Sequence, residues 1–105
     1  MPYVIIQAWF PPHKGPEVGA AGQKALEKFP QDETLGTTIL PTAFTSGKDG
    51  IFAITAIEPK EGKMGEVIAW IANIMYFYQV IEGFRYEIKT FSTMEEATAR
   101  ATAGT

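Results

Sequence analysis

Residues 2–10, PYVIIQAWF, and residues 51–57, IFAITAI, decide how this chain folds. Both are rich in β-branched and aromatic side chains, the types that suit a pleated, half-buried surface. In the first, Val4, Ile6, Ala8 and Phe10 alternate with Tyr3, Ile5 and Trp9, and Gln7 is the one polar exception. Successive side chains of a strand point to opposite faces, so this strand is apolar on both faces. The strand at 51–57 has the same character. Two such strands belong in the middle of a sheet, covered on both sides. Pro11 and Pro12 stop the first one by removing backbone donors and fixing φ.

Working outward, Pro16 to Phe29 reads as a helix. Proline is tolerated in a first turn, Glu17 complements the helix dipole, and Val18, Ala21 or Gly22, Ala25, Leu26 and Phe29 recur at helical spacing. A second strand, Thr34 to Thr45, contains Pro41 and is therefore expected at a sheet edge. Ser46 to Gly50 is a hairpin connection with an Asp-Gly turn signal leading into the strand at 51–57. A long helix is expected from Lys63 to Ile81, with Gly83 near its C-cap. Phe84 to Phe91 alternates apolar Phe84, Tyr86 and Ile88 with charged Arg85, Glu87 and Lys89, as an edge strand does. Ser92-Thr93-Met94-Glu95 has the S-x-x-E form of a capping box opening a helix through Ala101, and residues 102–105 are expected to fray.

The order is β-α-β-β-α-β with a terminal helix. It predicts an α+β fold, a two-layer sandwich whose four-stranded antiparallel sheet runs 4-1-3-2. That topology centres the same two strands that the apolar patterns centre. One domain accounts for residues 1–105, with a core over 1–91 and a C-terminal helix and tail over 92–105. The architecture resembles the ferredoxin-like, dimeric α/β-barrel group of small proteins over roughly the first ninety residues. The likeness implies that two open sheets face each other across a dyad. In some members the enclosed cavity holds substrates or haem.

Composition narrows the function classes. The net charge is −3 and the nine basic residues are scattered, whereas nucleic-acid binding needs clustered Lys and Arg. There is no cysteine, hence no disulfide, thiol nucleophile or thiolate metal site. The opening MPYVIIQAWF has neither the basic start nor the cleavage site of a signal peptide, so a cytoplasmic location is expected.

The long helix is the unusual part. From Val67 to Ile81 it reads VIAWIANIMYFYQVI, with Asn73 and Gln79 as its strongly polar residues. Ile68, Ile71, Ala72, Met75 and Tyr78 form one apolar stripe, enough to cover a small sheet. Val67, Trp70, Ile74, Phe77 and Ile81 form a second, expected to lie bare in a lone subunit and to become an oligomer interface. Trp70, Ile74 and Phe77 would be its anchors and Lys63, Glu66 and Glu82 its rim. Gly19 and Ala20, on the outer side of the first helix, offer a second close-contact surface. A chain engineered to assemble into a closed symmetric particle would carry this pattern, and so would a natural obligate oligomer. The apolar run falls short of the ~20 residues of a membrane span, and none is expected.

No catalytic, metal or cofactor motif stands out, and no cofactor is expected. His13, the one histidine, lies in the loop FPPHKGPE with no second metal ligand at suitable spacing. Gly47 and Gly50 flank a lysine but precede no helix N-terminus that could cradle phosphate. The candidate pocket is the open sheet face: Tyr3, Gln7 and Trp9 beside Arg85 and Glu87, with Lys89 adjacent and His13 near its end. Aromatic walls with a few polar groups fit either a small-molecule site or a subunit interface. The expected roles are therefore a self-associating scaffold domain, with itself as partner, or a small-molecule binder or cofactor-free enzyme of the dimeric barrel kind.

Overall fold

The alternation in PYVIIQAWF becomes strand β1 (Tyr3–Phe10), and Pro11 closes it as expected. A 3-10 turn (Pro12–Lys14) leads to α1 (Gly15–Lys28), then β2 (Gly36–Gly47), β3 (Gly50–Pro59), α2 (Met64–Met75), a second 3-10 turn (Tyr76–Tyr78), β4 (Arg85–Phe91) and α3 (Met94–Ala103). The computed structural model describes residues 2–103. Gly104 and Thr105, where fraying was expected, lie outside them.

The four strands form one antiparallel sheet in the order β2-β3-β1-β4, which is the expected 4-1-3-2 read from the other edge. The class is α+β, compatible with a ferredoxin-like architecture. β1 and β3 occupy the centre. β2 takes an edge, where Pro41 removes no needed ladder bond, and its register slips on both sides of Leu40.

Both long helices lie on one side of the sheet. Val4 and Ile57 meet Val67, Ile71 and Met75 of α2 in the buried core, with Ile6, Tyr86 and Ile88 packed around them. Strand periodicity and helix periodicity meet there, each contributing its apolar side.

The structure corrects the expected helix over 63–81. Regular helix stops at Met75, and Tyr76–Tyr78 tighten into the 3-10 turn. Tertiary aromatic contacts override the helical pattern: the Tyr78 ring stacks on Phe84 with centroids 4.9 Å apart, and Phe77 meets Phe29 edge-on at 6.2 Å. Gly83 takes a left-handed conformation (φ 84°) in the turn before β4, where a side chain would strike the Pro11 ring, and so does not cap α2 directly.

The second stripe is unevenly covered within the subunit. Val67 and Ile81 are buried in the subunit's own core, while Trp70, Ile74 and Phe77 are half-buried. The Trp70 indole N–H donates to the Pro30 carbonyl at 3.1 Å, so the exit from α1 roofs that side of α2. Lys63 and Glu66, the expected rim, pair with each other at 3.4 Å. Gly19 and Ala20 are exposed, as the sequence predicts.

The C-terminal capping box sits one residue further along than S-x-x-E suggests. Thr93 is the cap: the Glu96 backbone N–H donates to its hydroxyl at 3.1 Å, and Glu96 Oε1 accepts from the Thr93 N–H at 2.9 Å. The bond from the Thr93 backbone N–H holds the Glu96 carboxyl below its ordinary pKa. The helix runs to Ala103 rather than Ala101.

Candidate functional site

Pairing partners in a sheet share a face, so the strand registers define what the side away from the helices presents. Tyr3 pairs with Phe91, Ile5 with Lys89, Gln7 with Glu87 and Trp9 with Arg85. Across the other flank of β1, Ile5 pairs with Ala56, Gln7 with Ile54 and Trp9 with Phe52. Tyr3, Gln7, Trp9, Arg85 and Glu87, the residues expected to line a site, therefore do stand on one face.

His13 is exposed on the 3-10 turn after β1, off the strand ladder that aligns the other five.

Reading the sequence misses the β3 half of this face. Ile54 and Phe52 complete it, and Trp9 leans on Phe52 with ring centroids 5.3 Å apart and planes tilted by 36°. The signal was present in IFAITAI, whose second apolar side needs a cover. On this face Ile5, Trp9, Phe52 and Ile54 are half-buried and Ala56 is buried; on the helix side Val4, Ala8, Phe10, Ala53 and Ile57 are buried and Ile6, Ile51 and Thr55 half-buried.

The result is an apolar centre contributed by β1 and β3, bordered along β4 by exposed Arg85, Glu87 and Lys89 in alternating sign. Lys89 Nζ lies 3.1 Å from Glu87 Oε2. Apolar, aromatic centre and charged margin is the anatomy of a protein contact surface.

The described residues include no group of three or more His, Asp or Glu side chains able to hold a metal ion, and no helix long and apolar enough to cross a membrane. No described buried side-chain nitrogen or oxygen lacks a hydrogen-bond partner. Comparison with known proteins finds no matching family model, no matching characterised protein and no matching solved structure.

Proposed function

We propose that this chain is a self-associating structural subunit of the ferredoxin-like, dimeric α/β-barrel kind, whose open sheet face meets the same face of a second copy. One observation carries the reading. β1 and β3 are apolar on both sides, and the subunit's long helices cover only one of them.

Size supports it. A folded monomer of this mass exposes about 5,800 Å², whereas this chain exposes 6926 Å². The radius of gyration is 15.4 Å with extents of 51 × 32 × 19 Å, against about 13 Å for a compact chain of this length. The excess is of the order that a standard interface removes, about 800 Å² per partner.

Charge supports it too. Arg85, Glu87 and Lys89 alternate along one edge, so a dyad can set the acid of one copy against a base of the other, a self-complementary border. Burying the half-exposed Ile5, Trp9, Phe52 and Ile54 is worth roughly 1 kcal/mol each, about 8 kcal/mol for two copies. That is comparable with the cost of association, so losing one or two anchors moves the equilibrium into a measurable range. Dyad-related faces close on themselves, and the assembly stops at two copies unless the Gly19–Ala20 surface of α1 also engages.

The test is native mass by light scattering. The wild type is expected at two subunits and Trp9→Asp plus Ile54→Asp at one, with unchanged circular dichroism. A wild-type mass of one subunit refutes the proposal. A larger particle that persists in the double variant refutes the sheet-to-sheet contact and moves it to the helices, as in a closed symmetric particle.

A further inference from the structure

We infer that the space between the helices and the sheet is a binding site for a neutral, mainly apolar small molecule bearing one hydroxyl or carbonyl group. A cavity of about 340 Å³ opens there, on the opposite side of the sheet from the proposed contact face. Its size falls at the lower end of the range for small-molecule sites.

The sequence makes the space. Ala8 and Ala53 place methyl groups on its floor, and Gly22 places only a hydrogen on its α1 wall. Large aliphatic residues at these positions would fill it. α1 cannot settle inward to compensate, because it rests on the 76–78 turn. The Tyr78 hydroxyl lies 2.8 Å from where a Gly22 side chain would begin, and Phe29 abuts Phe77. Consequently α1 buries only Ala25 fully, and Leu26 and Phe44 remain 53% and 63% exposed at the cavity lining.

The lining selects the ligand. No residue around the space is charged among those described, so a carboxylate or phosphate would lose its water without gaining a counter-ion. An apolar body suits walls of Leu26, Phe44, Ile74 and Trp70, since seating it there removes their exposed apolar surface from water. Polar capacity is concentrated at one wall. Thr42 Oγ1 and Thr55 Oγ1 are 2.7 Å apart, and Gln31 Nε2 donates to Thr38 Oγ1 at 2.8 Å. Each hydroxyl pair or amide pair is internally bonded yet keeps capacity for one more partner. A ligand with a single hydroxyl or carbonyl matches that wall.

Calorimetric titration with 2-naphthol, 2-naphthoate and naphthalene tests the site. Saturable binding of one 2-naphthol per chain is expected, at least tenfold tighter than 2-naphthoate. Ala53→Leu, which fills the floor, is expected to weaken it at least tenfold. Thr55→Val keeps the shape, removes a hydroxyl, and is expected to reduce the preference for 2-naphthol over naphthalene; it serves if Ala53→Leu fails to fold. No saturable binding, equal binding of the anion, or affinity unaffected by either folded variant overturns the inference. The outcome is independent of the native mass, so this site and the proposed contact face stand or fall separately.

Discussion

Tyr78 joins three parts of the molecule through one side chain. Its ring stacks on Phe84, its hydroxyl touches the α1 backbone at Gly22, and its body lines the interlayer cavity. Burial disfavours the phenolate and raises its pKa above the ordinary tyrosine value of 10.0. The sign follows from linkage. The folded state holds this proton more tightly than the unfolded chain does, so the contribution is intact below about pH 10 and declines as pH rises through the raised value. Urea denaturation at a series of alkaline pH values should show stability falling in the wild type and a shallower fall in Tyr78→Phe. Identical slopes would mean that this hydroxyl is solvated in the folded protein. The ring's helical spacing was legible in the sequence, but its partner was not, because nothing local to YFYQVIEGF says which of three aromatics will meet Phe84.

At the scale of elements, the strands were easier to read than the ends of the helices. Period-two alternation and a proline mark β1 and β2 from within, since strand edges are set by local donors and φ. α2 ends where Phe77 meets Phe29 and Tyr78 meets Phe84, the first of them a partner far away in sequence. The α3 cap slipped by one place because Ser92 and Thr93 can both cap, and Glu95 and Glu96 can both answer. The β2–β3 hairpin was legible from Lys48-Asp49-Gly50, and its geometry explains the glycine. Gly50 has φ 97°, and a side chain there would begin 2.6 Å from the Phe10 carbonyl oxygen. Gly50→Ala should therefore cost about 2–3 kcal/mol, from left-handed backbone strain and a backbone contact that must yield. Thermal and urea unfolding would measure it. A loss below a few tenths would show that the hairpin tip is free to move away from β1.

At the scale of the whole molecule, the sequence shows that both sides of β1 and β3 are apolar and that the long helix carries a second apolar stripe. In the structure that stripe is buried at Val67 and Ile81 and half-buried at Trp70, Ile74 and Phe77, beside the exit from α1, while α1 and α2 cover one side of β1 and β3. How far each apolar surface is sheltered depends on long-range contacts that no local pattern specifies. The sheet order was recoverable because two-sided apolar strands have only central positions to occupy.

The proposed contact face can be tested directly. The chain has no cysteine, so single variants Lys89→Cys, on the border of the open face, and Gly19→Cys, on the outer side of α1, each accept one spin label. Sheets packed face to face stand ~10 Å apart. Pulsed dipolar spectroscopy should then give the Lys89 label a narrow intersubunit distance below about 30 Å, with Gly19 labels farther apart. A short distance between Gly19 labels, or no dipolar coupling between Lys89 labels, would contradict the sheet-to-sheet contact.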